Sequence, residues 1–524
     1  MVGRGDHLVA VGRRAEHASG RRRGRKDREV RVPSTAHYRR LVNPFDPLRV
    51  LDDDQIEDIH QAALQVLADH GIRVLLPEAR SRLGAAGAAI DEDEQLVRIG
   101  PDLVSASLAS APPEFDITPR EPSRRISVGG RNVIMMPAGG PPHATDLDRG
   151  RRTGTREDFE NFVRLTQHFD VIHTNNPIVE PQDVPLELRH LASTTAMLTL
   201  SDKVPFIYAR GREKVADCFE MIRIAHHLTE DEFATQARCF TIINTNSPRQ
   251  LDETMCLGLI QFAESNQVSV ITPFTLAGAM APVTLSGALA LQHAEALAGI
   301  TLAQVVRPGA PVVYGAFTSN VDMRSGAPAF GTPEAVKAAL ASGQLARLIG
   351  IPWRSSAVST SVVADAQAGY ETMMNMMGAV LAGANIIIHA AGWIESGLSA
   401  SFEKFILDVE MVQMFAEVFQ QVGTSEAEIG VDAIGSVEPG GHFFGTDHTL
   451  ERYDSAFYEP IVFTRQNFGQ WTEAGSQTAA QRANPIWKRI VADFEPPHLE
   501  DSIRAELDDF VEQRTAAGGA MPPS

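Results

Sequence analysis

Short apolar runs alternate with longer amphipathic segments along the chain from about residue 133 to residue 421. Each run is rich in Val, Ile and Phe, as buried strands are, and each is followed by a segment with apolar residues at helical spacing. The eight predicted strands begin at Val133, Val171, Val204, Phe240, Val268, Pro311, Ser355 and Asn385.

The segments after these runs predict eight helices. Some of them open on residues suited to a helix start: Thr155 precedes Arg156, and Thr332 is followed by Pro333 at the first helical position. The predicted helices cover residues 156–169, 186–200, 212–228, 249–265, 284–306, 333–349, 366–381 and 402–421.

This order of elements predicts an α/β fold, a (β/α)8 TIM barrel with an N-terminal helical cap and a C-terminal helical extension. Eight strand and helix pairs over about 290 residues fit such a barrel in size and order. A doubly wound open sheet is the alternative, but no G-x-G-x-x-G opens a helix in the sequence. We expect five regions: a disordered basic tail (1–40), the helical cap (41–130), the catalytic barrel (131–422), the extension (423–514) and a frayed end (515–524).

Charge and composition exclude several classes of function. The 524-residue chain has a formal net charge of −19, yet residues 1–40 hold twelve Lys/Arg against four Asp/Glu. A body this acidic disfavours nucleic-acid binding, and the basic block predicts a solvated tail that is dispensable for stability. No run approaches the roughly 18 apolar residues of a membrane helix, so we expect no membrane contact and a cytoplasmic location. The cysteines Cys218, Cys239 and Cys256 have no C-x-x-C spacing, so neither a disulfide framework nor a common zinc motif is indicated.

The chemistry of such barrels lies at the carboxyl ends of the strands, and here those ends carry amides, hydroxyls and aromatic rings. His173 and His389 lie on different strands without a second ligand at metal-binding spacing, so we expect no metal site and no functional zinc. His173 fits a hydrogen-bonded core residue better than a ligand, whereas His389, near Gly392, fits either role. The candidate site residues here are Arg210, Phe274, Tyr314, Phe317, Asn320, Asp365, His389, Trp393 and Glu395.

Four of these side chains can surround a quaternary ammonium: Phe274, Tyr314, Phe317 and Trp393. Each desolvated ring face contributes about 0.5 to 2 kcal/mol to such a cation. Glu395 or Asp365 could neutralise the positive charge. Barrel strands often end in aromatic rings that only pack, so packing stays the alternative for each ring.

Three stretches carry a family resemblance: Gly309–Glu334 (GAPVVYGAFTSNVDMRSGAPAFGTPE), Asp365–Met411, and GGHFFGTDHTLERY at Gly440–Tyr453. Over about residues 45–500 the chain resembles the trimethylamine methyltransferase family. The resemblance implies a TIM barrel that moves a methyl group from a methylated amine to the cobalt of a corrinoid on a separate protein. The archaeal trimethylamine enzymes use pyrrolysine in the barrel, whereas every position of this sequence is a standard residue.

The resemblance therefore points to the branch without pyrrolysine, whose understood activity is the demethylation of glycine betaine, and implies a quaternary or tertiary methylamine substrate. A quaternary nitrogen already carries a positive charge, so a neutral tertiary amine is the leaving group when the methyl group is transferred. Neither zinc nor an acid is therefore needed to activate the substrate. We expect the corrinoid protein to dock over the mouth, with in-line attack of cobalt(I) on the methyl carbon, while the enzyme supplies orientation and a dry site. A betaine carboxylate would need a donor, for which Arg210, Arg354 and His389 are candidates.

The expected partners are the amine, the corrinoid protein and further copies of this chain in a homo-oligomer, with no cofactor bound tightly to the enzyme itself. The candidate catalytic residues are Glu395, Asp365 and His389. Two other functions remain open: a barrel lyase or hydrolase with Asp365 or Glu395 as its base, with or without a metal, and a non-catalytic amine-binding protein.

Overall fold

The computed structural model describes residues 35–521. Most of the predicted basic tail (1–40) lies outside the described residues, as do residues 522–524. The other predicted region boundaries stay predictions.

A curled parallel sheet forms the centre of the fold. We number its strands β1 to β8: Asn132–Met135, Thr174–Asn175, Val204–Pro205, Phe240–Thr245, Val268–Ala277, Val312–Gly315, Trp353–Ser356 and Ile386–Ile388. All eight coincide with, or lie within a few residues of, the predicted runs, and most of their residues are buried, as in a parallel sheet covered on both faces.

One long helix follows each strand, and a four-residue helix, Glu230–Phe233, also precedes β4. We number the long helices α1 to α8: Arg156–His168, Arg189–Thr199, Arg212–His226, Glu253–Glu264, Leu285–Val306, Pro333–Leu348, Ala366–Leu381 and Phe402–Val418. The predicted helix starts at Thr155 and Thr332 are confirmed, since each threonine side chain accepts a backbone N–H of the first turn. Asp365 caps α7 in the same way.

Six strands pair continuously and in parallel, in the order β4, β5, β6, β7, β8, β1. The short strands β2 and β3 pair with each other. One bridge between Phe206 and Phe240 links β3 to β4, and the His173 amide donates to Met135 O, which links β2 to β1. The structure thus confirms a mixed α/β fold with a curled parallel sheet, and closure into a complete (β/α)8 barrel stays a prediction.

Successive strand residues pack on opposite sides of the sheet, as the two-residue period of a strand requires. Ile134, Val270 and Val313 belong to an apolar cluster on the concave side. Their neighbours Ile271 and Tyr314 belong to the larger cluster beneath the helices. The Phe115–Ile117 and Ile126–Val128 hairpin joins the concave cluster through Ile117, Ile126 and Val128.

The N-terminal region contains three α-helices. The first is Asp53–Gln65 continued by Val66–His70, and Asp52 and Gln55 form a capping box at its start. The other two are Pro77–Ala85 and Pro101–Ser110. A small sheet accompanies them, with strands Ile72–Val74, Ala89–Asp91, Leu96–Arg98 and Gln250–Leu251.

Smaller elements extend the sheet near the carboxyl ends of the strands. Phe317–Val321 continues beyond β6, pairs in parallel with the last residues of β5, and then pairs with Pro328–Ala329. A four-stranded sheet lies over β8, formed by His143–Thr145, Arg152–Thr153, Trp393–Ile394 and Ser399–Ser401.

The chain after α8 forms short helices and then two longer ones. The short helices are Glu426–Ile429, Val431–Gly435, Asp447–Arg452 and Phe468–Glu473, and the longer ones are Ala479–Ala492 and Asp501–Ala516. Within the predicted frayed end, the amide of Ala520 donates to Glu187 O and Ala520 is buried.

Helix α5 is the one helix in the described part of the chain whose length and composition would suffice to cross a membrane, and 83% of its most apolar window is buried within the fold. Its burial comes from packing against the sheet and the N-terminal helices. The cytoplasmic location stays a prediction.

Candidate functional site

A cavity of about 430 Å3 opens at the carboxyl ends of the strands. This volume lies within the range of about 300 to 1,000 Å3 typical of small-molecule sites. All eight strands or the segments that follow them contribute to its wall: Gly139, Gly140, Asn176, Phe206, Tyr208, Ala209, Arg210, Ile242, Asn244, Thr245, Phe274, Phe317, Phe330, Arg354, Ile388, His389, Trp393 and Ser396, with Met255 from α4.

Six of the ten candidate residues line this cavity together: Arg210, Phe274, Phe317, Arg354, His389 and Trp393. The wall holds no Asp or Glu side chain, although it holds two arginines. The charged side chains of the cavity wall are therefore positive rather than negative. The pattern of strand-end residues could not show this.

Arg354 lies in the middle of β7 with only 2% of its surface exposed. Its guanidinium lies 5.2 Å from the centre of the Phe317 ring, and its Nη1 donates to Ala316 O at 3.4 Å. Within residues 35–521 it forms no ion pair with a carboxylate, and its Nε has no hydrogen-bond partner. Burial lowers the pKa of Arg354 to about 9, so the side chain is still a cation at neutral pH.

His389 and Trp393 make a close, tilted ring contact beside Arg354. The two ring centres are 3.9 Å apart, and the His389 ring is 6.0 Å from that of Phe317. His389 has a φ of 62°, a left-handed backbone that costs a non-glycine residue free energy and turns the chain out of β8 towards the cavity. Burial and the charge of Arg354 hold the pKa of His389 well below its usual value, so the imidazole is neutral at pH 7. Its Nδ1 and the Trp393 Nε1 are buried without a hydrogen-bond partner.

Three phenylalanines form the opposite part of the same wall. The parallel register pairs Phe274 directly with Phe317, and their ring centres are 4.9 Å apart. Phe330, after the Pro328–Ala329 strand, stacks on Phe317 at 5.4 Å. These rings therefore form one aromatic cluster, which His389 joins to Trp393, and Arg354 lies over the Phe317 ring.

A second group of aromatic residues comes from β3 and its continuation. Phe206 and Tyr208 make an edge-to-face contact at 4.9 Å, and Arg210 lies over the Tyr208 ring at 4.0 Å. The guanidinium of Arg210 is paired with Glu180 at 3.2 Å, so its charge is already compensated. Burial raises the pKa of Tyr208, which keeps the phenol neutral.

Phe206, Tyr208 and Phe330 were missing from the predicted site. The first two had a usable signal, since residues two apart in VPFIYAR share one side of a strand. Phe330 had none, because it reaches the cavity from a loop far beyond the end of β6.

The structure places Tyr314 and Asn320 away from the cavity wall. Tyr314 is on the helix side of β6, where its hydroxyl accepts from Gln292 at 3.0 Å and contacts His293 at 3.1 Å. The alternation along β6 is the physical reason, because Val313 takes the concave side. Asn320 accepts a hydrogen bond from Thr332 at 3.0 Å and supports the start of α6.

The two predicted carboxylates are also outside the cavity wall. Asp365 accepts from the amide of Ala368 and from Ser361, and chiefly the backbone hydrogen bond lowers its pKa. Glu395 forms an ion pair with Arg151 at 2.8 Å and accepts from Ser399. Partial burial raises the pKa of Glu395, but these two partners outweigh it and the net shift is downward.

His173 lies in a buried position between β1 and the N-terminal region, where its Nδ1 accepts the Met135 amide and its Nε2 contacts Tyr38 O, both at 2.8 Å. Its prediction as a hydrogen-bonded core residue is confirmed. Across residues 35–521, no three potential His, Cys, Asp or Glu ligands converge. The prediction of no metal stays a prediction.

A family model described as trimethylamine methyltransferase (MTTB) matches residues 17–519 of the chain. The chain belongs to the trimethylamine methyltransferase family. It is a methyltransferase, as the sequence resemblance implied.

Two relatives show how the chain relates to other members of the trimethylamine methyltransferase family. A glycine betaine methyltransferase of Desulfitobacterium hafniense (strain Y51) is 36% identical over 467 residues, which are 89% of this chain and 97% of the relative. A trimethylamine methyltransferase of Methanosarcina barkeri is 26% identical over 495 residues, which are 90% of this chain and 97% of the relative. Among solved structures, the monomethylamine methyltransferase of Methanosarcina barkeri aligns with a TM-score of 0.46 at 11% identity, covering 88% of this chain and 89% of that one.

Proposed function

We propose that this methyltransferase takes a methyl group from a zwitterionic, betaine-like quaternary amine and passes it to the cobalt of a corrinoid carried by a partner protein. In this proposal the curled sheet closes into a complete (β/α)8 barrel around the cavity. The substrate carboxylate binds Arg354, and the trimethylammonium group lies against the aromatic wall.

The buried, uncompensated charge of Arg354 is the observation that carries the proposal. A buried charge without a partner makes folding less favourable. Such a charge is retained where a ligand supplies the opposite charge. A planar guanidinium suits a carboxylate, with which it makes two parallel charge-assisted hydrogen bonds. A purely cationic amine would be repelled by the same group, so the cavity favours a zwitterion over trimethylamine.

The aromatic wall supports the other half of the ligand. The rings of Trp393 and Phe330 can each attract a quaternary ammonium by about 0.5 to 2 kcal/mol, whereas Phe317 is already in contact with Phe330 and with Arg354. Because Arg354 lines the same cavity as these rings, the two charges of one small zwitterion can be satisfied at once. The relative named as a glycine betaine methyltransferase acts, by its name, on a molecule of this type.

The chain's residues have a limited chemical task in this reaction. The carbon–nitrogen bond breaks with its electron pair remaining on nitrogen, so the substrate leaves as a neutral tertiary amine and needs no proton. Orientation of the methyl group and exclusion of water are then what the protein contributes. The partner's corrinoid would supply the cobalt(I) that accepts the methyl group.

Neutral His389 contributes to this task without transferring a proton. Its imidazole packs against the Trp393 ring at an interplanar angle of 43°, and its neutral form adds no further positive charge beside the ammonium.

The rim of the cavity suits a docking partner. The loops beyond the strands expose several large apolar side chains: Met280, Val283, Met323, Val362 and Leu398. Exposed apolar groups that cluster around a site mark protein interaction surfaces. A corrinoid protein docked there would seal the cavity from water during transfer.

Calorimetry with three matched ligands tests the proposal. Glycine betaine should bind, trimethylamine should bind at least tenfold more weakly, and 3,3-dimethylbutyrate, which has carbon in place of nitrogen, should also bind at least tenfold more weakly. Methyl transfer to a reduced corrinoid should follow the same order. If trimethylamine binds more tightly than glycine betaine, Arg354 does not select a carboxylate and the proposal fails.

A further inference from the structure

A second and smaller cavity lies at the starts of α2 and α3, where it adjoins the larger cavity. Its volume is about 50 Å3. Because one water needs about 10 to 15 Å3, there is room for about four water-sized groups, which is the size of one tetrahedral oxyanion. We call it the rear pocket, and its charged and titratable wall residues are Glu180, Arg189, His190, Tyr208, Arg210 and Lys214. Tyr208 and Arg210 also line the larger cavity.

The charged side chains of the rear pocket are mostly positive. Arg189, Arg210 and Lys214 contribute three cations, whereas Glu180 is the one carboxylate that the described chain places in this wall. Glu180 lies 3.4 Å from Arg189 and 3.2 Å from Arg210, so two arginines share it. Burial, followed by the charges of Arg210 and Arg189, lowers the pKa of Lys214. The wall therefore keeps positive charge that no carboxylate compensates.

Backbone carbonyls of one turn orient two of these cations. Arg189 Nη2 donates to Val184 O at 3.2 Å, and Lys214 Nζ donates to Leu186 O at 3.1 Å. The Nε of Arg189 is buried without a hydrogen-bond partner, and Lys214 is only 6% exposed. Since a guanidinium has five N–H donors and an ammonium has three, both side chains keep donors for a ligand.

Both cations also lie in the first turns of their helices. Arg189 is the first residue of α2, and Lys214 is the third residue of α3. The amino end of a helix is the positive end of its dipole, so a cation there is unfavourable and an anion is favourable. Neither N-cap residue, Leu188 or Gly211, provides a capping side chain, and α2 has no acidic residue in its first turn. An anion in the rear pocket would stabilise both helix starts.

His190 indicates which kind of oxyanion fits. Its Nε2 lies 2.9 Å from Asp217 Oδ2, and because a carboxylate only accepts, Nε2 carries the proton and donates it. The side chain is 9% exposed, and its Nδ1 is buried without a hydrogen-bond partner. A ring with one proton leaves Nδ1 as an acceptor, which suits a hydroxyl group of the ligand. Hydrogen phosphate has such a hydroxyl group at neutral pH, whereas sulfate has none.

We propose that the rear pocket binds one hydrogen phosphate ion. Its oxygens accept hydrogen bonds from Arg189, Lys214 and the first amides of α2, and its hydroxyl donates to Nδ1 of His190. The bound ion connects the starts of α2 and α3, and so stabilises the segment before α3 that carries Tyr208 and Arg210. The volume leaves no space for an organic substituent, so the ligand is the free ion rather than a phosphate ester.

Calorimetry with inorganic phosphate on the full chain tests this site, at about pH 7.5 and with the ionic strength kept constant by NaCl. The wild type should bind phosphate with a Kd of about 1 mM or lower, and sulfate at least tenfold more weakly. Arg189→Met and Lys214→Met should each raise the Kd for phosphate at least tenfold, because each removes a charge-assisted donor. Lys214→Arg keeps the charge and should retain more affinity than Lys214→Met.

Two matched variants separate the rear pocket from other positive charges. Arg212→Met removes a cation from the first turn of α3, but Arg212 pairs with Glu78 and lies outside the pocket wall. Arg354→Met removes the buried cation of the larger cavity. Both should leave the Kd for phosphate within about twofold of the wild type.

Urea unfolding provides a second measurement. Phosphate should raise the unfolding midpoint of the wild type above its value in chloride of equal ionic strength, and should not do so for Lys214→Met. A cooperative transition in chloride shows that each variant is folded. Equal affinity for phosphate and sulfate overturns the proposal, as does phosphate binding that survives in Lys214→Met or that Arg354→Met abolishes.

Discussion

Replacement of Arg354 by methionine should stabilise the protein while it abolishes binding of a betaine. Burial lowers the pKa of Arg354 from 12.5 to about 9, which corresponds to about 5 kcal/mol of preference against the charged form in the folded state. Because methionine fills a similar volume without a charge, we expect the free energy of unfolding to rise by about 1 to 4 kcal/mol, as in other replacements of buried charges.

The same change should remove most of the affinity for a carboxylate ligand. Loss of one partner of a buried charge pair costs about 2 to 5 kcal/mol. At a ligand concentration 100 times the wild-type Kd, glycine betaine should stabilise the wild type by about 2.7 kcal/mol and the Arg354→Met variant by less than about 1 kcal/mol. Arg354→Lys should lie between them, because it keeps the charge but loses the two-pronged geometry.

Urea unfolding with and without glycine betaine measures both effects, and Arg210→Met is the matched control. Arg210 faces the same cavity, but its side chain is 46% exposed and already paired with Glu180. We expect its replacement to change the affinity by less than about threefold, since exposed ion pairs contribute about 0 to 1 kcal/mol. An Arg354→Met protein that is less stable than the wild type and still binds betaine would refute the reasoning, because Arg354 would then be a structural residue.

Three further predictions concern the cavity and its surroundings. Trp393→Ala should weaken glycine betaine by about 1 to 2 kcal/mol in calorimetry but weaken 3,3-dimethylbutyrate, whose tert-butyl group carries no positive charge, less; equal losses would show that the ring only packs. Glu395→Gln should leave betaine affinity within about threefold, because Glu395 pairs with Arg151 outside the cavity wall; a tenfold change would place its charge at the ligand. Betaine affinity should be level from pH 6 to 8, since His389 stays neutral there, and fall above about pH 9 as Arg354 loses its proton; a titration midpoint near 6.5 would contradict the buried neutral imidazole.

The free energy of unfolding should also fall as the pH decreases below about 6.5. Burial lowers the pKa of His173 to about 4 and those of His226 and His293 to about 3, so below pH 6.5 these side chains take up protons only in the unfolded chain. Each contributes a slope of about 1.4 kcal/mol per pH unit in that range. Urea titrations at pH 7, 6 and 5 measure it, and equal stability at all three values would contradict the buried neutral state.

The order of elements could be predicted from the sequence because it depends on local periodicity. Strand β8 is an uninterrupted apolar run, and α7 begins and ends at the predicted residues because Asp365 caps it and Gly383 follows it. The predicted strand ends also supplied six residues that line the cavity, because βα topology brings the carboxyl ends of all the strands to one face.

Only the tertiary structure decided which side of a strand each residue occupies and which charges find a partner. Tyr314 and Phe317 are three residues apart near the end of β6, yet one contacts His293 under the helices and the other lines the cavity. The sequence suggested Glu395 as a counter-charge for a bound cation, but the fold pairs its carboxylate with Arg151. Arg354 is the candidate carboxylate-binding residue because no carboxylate of the described chain lies beside it. Periodicity depends on neighbours along the chain, whereas register, pairing and desolvation depend on residues that only folding brings together.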